Sequence, residues 1–188
     1  MNLLSYLNKE LAGKSDENLE LISVICSVAD STVDIAMDTR VTGLKQIRGS
    51  ANEINVQGEE VQMLDQIANK SLIDSLSKNS SCAGYASEEI DEPLIFNQSS
   101  RFMVVADPLD GSSNISVNMP IGTIFGIIRN TDYGVSSFNK SGRYYISAGY
   151  SLYGPSDIFV ICVNNKVCLL YTSPSPRDNT TSRMPSAA

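Results

Sequence analysis

Apolar side chains in the first eighty residues recur at helical spacing. They return every three or four positions over 19–33, which predicts an amphipathic helix that begins after Ser15 and ends near Gly43. Ser15 is of a type favoured at the N-cap, and the two acids that follow it suit the positive end of a helix. A second amphipathic helix is predicted over 59–77, after a polar loop over 44–57.

Short apolar runs replace the helical spacing beyond residue 80. Such runs cover 101–106, 121–128 and 157–163, and 144–153 alternates in part between apolar and polar residues. Apolar runs of this length between turn signals are typical of buried strands. Two helices followed by several strands predict an α/β domain, with helices packed against a mixed sheet.

The C-terminal residues differ in composition from the rest of the chain. Residues 172–188 contain three prolines and almost no apolar side chains, and such a composition cannot build a core. The stretch CLLYTSPSPRD at 168–178 resembles translated sequencing adapter, and a natural disordered tail is the alternative. We therefore predict a folded domain over 1–166 and a non-native, disordered tail over 167–188.

Composition restricts the available chemistry. The 188 residues include no histidine, which excludes Ser-His-Asp and Cys-His catalysis and histidine-ligated zinc or haem. The net charge of −7 argues against nucleic acid or an anionic membrane as a partner, because both require a basic face. Carboxylates, hydroxyls, thiols and amines remain, and they favour hard, oxygen-liganded cations such as Mg²⁺ or Mn²⁺.

The cysteines and the N-terminus indicate a reduced, intracellular protein. Cys26, Cys82, Cys162 and Cys168 form no C-x-x-C pair, so thiol ligation of a metal is disfavoured. The first 14 residues lack the apolar stretch of a signal peptide, and no apolar run is long enough to span a membrane. We expect a cytoplasmic location, and a plastid location with a preceding targeting peptide stays open.

The octet DPLDGSSN at 107–114 carries the strongest chemical signal. Asp107 and Asp110 lie three residues apart around a proline, so both carboxylates can converge on one cation. The Gly-Ser-Ser that follows offers backbone N–H groups and hydroxyls to phosphate oxygens. A simple Asp-Gly turn explains the dipeptide alone, whereas the full octet at the end of a strand favours a metal–phosphate site.

A second acidic cluster, Glu88 and Glu89, follows the short segment 83–87. Adjacent glutamates are commonly only solvated charge, but a position at a strand end would place these two beside Asp107 and Asp110. Four carboxylates so close would repel one another unless cations neutralised them. A two-metal site for phosphoryl transfer supplies that neutralisation.

Asp65 shares the apolar face of the second predicted helix with Val61, Ala68 and Leu72. A carboxylate on such a face costs free energy unless it is paired, liganded or hydrogen-bonded. The alternative is an aspartate at the edge of the helix that reaches solvent.

These segments together resemble class I fructose-1,6-bisphosphatases. The octet is followed by IGTIFG at 121–126 and accompanied by matching segments at 55–65, 86–89 and 148–154, in the order and spacing of that family. The DPLDGS element alone is shared with the wider inositol-monophosphatase-like group of metal-dependent phosphatases. The resemblance implies the layered α/β/α/β/α sugar-phosphatase fold, of which this chain holds the N-terminal part only.

The resemblance also assigns roles to residues at the acidic clusters. It implies that Mg²⁺, or Mn²⁺ in its place, is bound by Glu88, Asp107, Asp110 and the backbone carbonyl of Leu109. It implies that the phosphate being cleaved is held by Asp110, Gly111, Ser112 and Ser113. Asp65 and Glu89 would orient or deprotonate the attacking water, and Glu59 would assist a further metal.

The activity that the resemblance implies is Mg²⁺-dependent phosphoric monoester hydrolysis. The 1-phosphate of fructose 1,6-bisphosphate would be released to leave fructose 6-phosphate, in gluconeogenesis or carbon fixation, by a homo-oligomer. A sedoheptulose-1,7-bisphosphatase or a related inositol-monophosphatase-like phosphatase is the neighbouring alternative. Family members are nearly twice as long, so a catalytically incompetent partial chain with an exposed apolar sheet face is the other alternative.

Overall fold

Three helices open the fold. A computed structural model describes residues 2–13, 15–46, 54–117, 119–154 and 156–172. The helices are α1 (Leu3–Glu10), α2 (Asp16–Gln46) and α3 (Ile54–Ser77). In the described part of the chain, no helix combines the length and the apolar character needed to cross a membrane.

Helix α2 confirms the first predicted helix, and its N-cap is Ser15. The Ser15 Oγ accepts a hydrogen bond of 3.2 Å from the backbone N–H of Asn18. Both α2 and α3 extend into the predicted polar loop, so that loop is shorter than predicted, and its residues 47–53 lie outside the described residues. Helix α1 has no counterpart in the prediction, because its 8 residues are too few to display a helical period.

We expect Ser15→Ala to lower the free energy of unfolding by about 1 kcal/mol, because one N–H group at the start of α2 loses its acceptor. Chemical denaturation monitored by circular dichroism measures this loss. Ser141→Ala is the matched control, since Ser141 also precedes a helix but makes no capping hydrogen bond with its side chain. Equal losses in the two variants would contradict the capping role of Ser15.

The described part of the chain has seven strands: β1 (Cys82–Ser87), β2 (Leu94–Ile95), β3 (Phe102–Asp110), β4 (Ile121–Arg129), β5 (Tyr145–Tyr153), β6 (Asp157–Val163) and β7 (Lys166–Thr172). They form one mixed sheet in the order β2-β1-β3-β4-β5-β6-β7. Strands β1 and β3 run parallel, and the other neighbouring pairs are antiparallel. The three apolar runs and the partly alternating segment predicted as strands are thus confirmed as β3 to β6.

Strand β7 corrects the predicted start of the tail. Residues 167–172 continue the sheet, whereas the sequence prediction places them in the disordered segment. Cys168 and Leu170 pack against the core, and the Tyr6 hydroxyl on α1 donates to the Lys166 carbonyl at 3.3 Å. The sequence prediction places the start of the tail too early because it relies on the polar composition of the residues after 172. The alternate residues Cys168 and Leu170 are apolar and contact the core, as in other strands of the sheet. Residues 173–188 lie outside the described residues, and their assignment stays a prediction.

The helices cover one face of the sheet. Ile25 of α2 and Leu72 of α3 are fully buried in the same core as Val104 and Ile127 of the central strands. Burial of these side chains is the main favourable contribution to folding. This arrangement confirms the predicted α/β class, with helices packed against a mixed sheet.

The opposite face of the sheet carries exposed apolar side chains. Ile124, Tyr150 and Leu169 are 48%, 45% and 48% exposed, and the register of β4 to β7 aligns them in one row with Val160. This row is the exposed apolar face that the sequence associates with a partial chain. Asp107 on β3 pairs with Ile124, so the row runs up to the acidic residues.

Candidate active site

The two acidic clusters meet at one edge of the sheet, as the sequence predicts. Glu88 and Glu89 directly follow β1, while Asp107 and Asp110 lie among the last four residues of β3. Because β1 and β3 are parallel, their carboxyl ends share this edge. The backbone N–H of Glu88 donates to the carbonyl of Ala106 at 3.2 Å, which fixes the two strand ends against each other.

A β-bulge places both aspartates on the same face of the sheet. Asp107 pairs with Ile124 and Asp110 pairs with Gly122, so Pro108 and Leu109 together lie opposite one residue of β4. In a regular strand, the side chains of residues three apart point to opposite faces of the sheet. The additional residue of a bulge brings both side chains to the same face. Pro108 suits this position because a bulge leaves a backbone nitrogen without a ladder partner.

The bulge also orients the Asp107 carboxylate. The backbone N–H of Leu109 donates to Asp107 Oδ1 at 3.1 Å, and the Leu109 side chain is buried. This bond holds the carboxylate against its own loop. The side chain of Asp110, by contrast, is exposed to solvent.

Asp107 and Glu88 interact strongly with each other. Burial, followed by the hydrogen bond and the negative charge of Glu88, raises the pKa of Asp107 to about 6, although the hydrogen bond from the Leu109 N–H acts in the opposite direction. The charge of Asp110 also raises this pKa. A carboxyl group whose pKa is raised by neighbouring carboxylates lies where a cation would relieve the repulsion.

Asp65 lies beneath the same edge, on α3. Its Oδ2 accepts a hydrogen bond of 3.2 Å from the Ser112 hydroxyl, and burial raises its pKa, as does the charge of Glu88. Its Oδ1 is buried without a hydrogen-bond partner, which distinguishes it among the side-chain polar atoms of the described residues. A buried, unpaired carboxylate oxygen is costly, so this atom is poised for a cation or a water molecule.

Glu89 faces the same charges from the side of β1. Its side chain is largely exposed, and burial of the remainder raises its pKa, with further contributions from Asp65 and Glu88. Its backbone N–H donates to Ser87 Oγ at 3.2 Å. Glu89 is therefore exposed to solvent but lies near enough to Asp65 and Glu88 for their charges to raise its pKa.

The Gly-Ser-Ser segment turns the chain out of β3. Gly111 has a φ of 76°, in the left-handed region that favours glycine, and a short 3-10 helix spans Ser112–Val117. Ser112 is directed towards Asp65 through its hydroxyl, while Ser113 is exposed beside it. The turn thus presents both serines at the edge where the carboxylates converge.

A cleft of about 490 Å³ opens on the face of the sheet that carries no helices. Glu88 and Asp107 line its acidic end, and Ile124, Phe125 and Tyr145 line its apolar side. The cleft therefore joins the acidic edge to the exposed apolar row.

The residues fit a divalent cation, although they are not yet arranged as a complete ligand set. Among the described residues, no three acidic or cysteine side chains already enclose a metal position. The unpartnered Asp65 Oδ1 and the raised pKa of Asp107 beside Glu88 nevertheless indicate the oxygen donors and the uncompensated negative charge that such an ion requires. The side chain of Glu59, predicted to assist a further metal, lies outside the described residues.

Solved structures define the class of fold. The fructose-1,6-bisphosphatase of Leishmania major superposes with a TM-score of 0.72 in its holo form and 0.74 in its apo form, each at 24% sequence identity. These comparisons cover 93% of this chain and 52% and 53% of those chains. The chain thus has the α/β sugar-phosphatase fold, and the predicted fold class is confirmed.

Sequence relatives define the family. A profile described as "Fructose-1-6-bisphosphatase, N-terminal domain" matches residues 6–174. The class 1 fructose-1,6-bisphosphatase of a Sulfurihydrogenibium species is 38% identical over 169 residues, covering 89% of this chain and 52% of the relative. That of Neisseria meningitidis serogroup B is 41% identical over 146 residues, covering 77% and 45%.

The chain belongs to the fructose-1,6-bisphosphatase family, as the resemblance of its motifs predicts. It spans about half the length of the curated relatives it matches. Relatives in this family are phosphatases, and the family implies a divalent metal cation.

Proposed function

We propose that the acidic edge binds Mg²⁺, with Mn²⁺ as an alternative ion, and that the protein hydrolyses a sugar bisphosphate there. The observation that carries this proposal is the concentration of negative charge around one buried, unpartnered oxygen, Asp65 Oδ1. The proposed metal ligands are Glu88, Asp107, Asp110 and the backbone carbonyl of Leu109. A cation bound there would neutralise these carboxylates and polarise a phosphoryl oxygen.

The residues of the turn after β3 hold the phosphate in this proposal. The backbone at Gly111 approaches closely because no side chain intervenes, and Ser112 and Ser113 add hydroxyl donors. Asp110 contributes to this site as well as to the cation site. Hydrogen bonds donated by the serine hydroxyls and the backbone N–H groups of this turn fix the phosphorus in line with the attacking water.

Asp65 and Glu89 orient the attacking water and accept its proton. Both carboxyl groups have a raised pKa, which brings their basicity closer to that required of a general base at neutral pH. The Ser112 hydroxyl fixes one oxygen of Asp65 and leaves the other for water. The water oxygen forms the new bond to phosphorus, the bond between phosphorus and the sugar oxygen breaks, and that oxygen takes a proton from solvent as the sugar leaves as the alcohol.

We propose fructose 1,6-bisphosphate as the substrate, hydrolysed at its 1-phosphate to fructose 6-phosphate. The relatives at 38% and 41% identity bear that substrate in their names. Sedoheptulose 1,7-bisphosphate is the competing substrate. Phosphate release from both bisphosphates, measured on a version extended through the second half of the family sequence, distinguishes them by kcat/KM. Faster turnover of the sedoheptulose compound would overturn the substrate assignment.

A catalytically incompetent partial chain is the second candidate. It is supported by the half-length coverage and by the exposed row that includes Ile124, Tyr150 and Leu169. Exposed apolar patches of this kind promote association. Under this candidate the 188-residue chain binds the dye ANS and releases no phosphate with Mg²⁺, and sustained Mg²⁺-dependent release from it would exclude the candidate.

Three further assignments complete the proposal. The family resemblance supports a cytoplasmic location, a homo-oligomeric assembly and a role in gluconeogenesis or carbon fixation. Size-exclusion chromatography with light scattering tests the assembly, and a single protomer at micromolar concentration would contradict it.

A further inference from the structure

The bulge in β3 is linked by hydrogen bonds to two buried side chains to which the sequence analysis assigns no role. Thr123 of β4 is fully buried on the helix-covered face, and its hydroxyl donates to the carbonyl of Pro108 at 2.7 Å. The same hydroxyl lies 2.5 Å from the phenol oxygen of Tyr153 on β5, which is also buried. Both residues lie in strands that carry none of the predicted site residues.

The number of hydroxyl protons determines the donor in each of these two hydrogen bonds. A threonine hydroxyl has one proton, and Thr123 uses it for the Pro108 carbonyl, which is an acceptor only. Tyr153 must therefore donate to Thr123. Burial raises the pKa of the Tyr153 phenol, so it keeps this proton across the neutral range.

Two hydrogen bonds fix the peptide group that joins Pro108 to Leu109. Its carbonyl oxygen accepts from Thr123, and its N–H donates to Asp107 Oδ1 at 3.1 Å. A rotation of this peptide plane would break both bonds together. The orientation of the Asp107 carboxylate is thereby linked to a hydroxyl on the opposite face of the sheet.

We propose that Thr123, backed by Tyr153, is a positioning residue that orients the Asp107 carboxylate through the peptide between Pro108 and Leu109. The effect of Thr123 on cation binding rests on the proposed function, in which Asp107 is a metal ligand. Side chains that orient a ligand from outside the metal site commonly change metal affinity by about 10–100-fold when they are removed. Without the Thr123 hydroxyl, the buried carbonyl loses its donor and the peptide is free to turn.

Thr123→Val tests this role, because it removes the hydroxyl and keeps the branched shape. We expect Mn²⁺ affinity, measured by electron paramagnetic resonance, to fall about tenfold, and hydrogen exchange of the Leu109 amide to accelerate. Thr123→Ser retains the hydroxyl and should restore both readouts. Tyr153→Phe should produce a smaller change in the same direction, since Thr123 keeps its own bond to the Pro108 carbonyl.

Thr32→Val is the matched control. Thr32 is also buried and donates to a backbone carbonyl, that of Ala29 at 2.7 Å, but it lies in α2, which carries none of the predicted site residues. Both valine variants should lower the melting temperature, and only Thr123→Val should change Leu109 exchange and Mn²⁺ affinity. If Thr123→Val alters stability alone, the positioning role is overturned.

The two readouts separate this inference from the proposed function. If the unmodified chain binds no Mn²⁺, the cation assignment fails, and Leu109 exchange still decides whether Thr123 positions the loop. If the unmodified chain binds Mn²⁺ and Thr123→Val binds it equally well with unchanged Leu109 exchange, the positioning role fails and the cation site stands.

Discussion

Asp107→Asn is expected to weaken divalent cation binding at least about 100-fold, because residues that only orient a metal ligand already contribute 10–100-fold. The substitution removes the negative charge of Asp107 from the acidic edge that it shares with Glu88 and Asp110, and it keeps the size of the side chain. A titration of the chain with Mn²⁺, followed by electron paramagnetic resonance, measures the change. In a version with the second half of the family, turnover should fall by orders of magnitude.

Asp91→Asn controls for the loss of one charge near the same edge. Asp91 is exposed, follows Glu88 and Glu89 in the sequence, and has no proposed role in the cation site. It should bind Mn²⁺ as the unmodified chain does. Similar losses in both variants would indicate nonspecific attraction to an acidic surface, and an unchanged affinity in Asp107→Asn would remove Asp107 from the ligand set.

Arg40→Ala is expected to lower the free energy of unfolding by about 3 kcal/mol, because it removes a guanidinium group that pairs with a buried carboxylate. Arg40 of α2 and Asp157 of β6 form an ion pair at 2.6 Å, and the Asp157 side chain is only 3% exposed. The pair joins the long helix to the sheet across 117 residues of sequence. Urea denaturation of the purified chain measures the loss.

Arg129→Ala provides the comparison for that measurement. Arg129 pairs with Glu17 at 2.7 Å, but both side chains are substantially exposed, at 57% and 39%. Exposed ion pairs contribute about 0–1 kcal/mol, so this variant should be nearly as stable as the unmodified chain. Equal losses from Arg40→Ala and Arg129→Ala would contradict the view that burial determines the strength of the Asp157 pair.

Local pattern was sufficient to predict much of the fold and the location of the candidate site. Helical periodicity and the Ser15 cap placed α2, and short apolar runs placed β3 to β6. Strand ends and acid clusters together predicted that Glu88 and Asp107 would meet, and the structure brings them into contact. Asp65 was identified because a carboxylate on an apolar helix face requires an explanation, and its Oδ1 is indeed buried without a partner.

Features that depend on pairing between distant strands could not be read from local pattern. The bulge at Pro108 and Leu109 exists only in the register of β3 against β4, so the sequence showed two nearby aspartates but not why they share a face. Thr123 looks like an ordinary strand residue until its carbonyl partner 15 positions away is known. The start of α3 was missed because its first residues, from Ile54, lack a clear apolar stripe.

The position of Mn²⁺ in crystals of the unmodified chain shows directly whether the acidic edge binds a divalent cation. Anomalous scattering from manganese locates the ion without assumptions about the reaction. We expect a peak at the sheet edge, coordinated by the carboxylates of Glu88, Asp107 and Asp110. At saturating Mn²⁺, a peak elsewhere or no peak at this edge would contradict the proposed cation site.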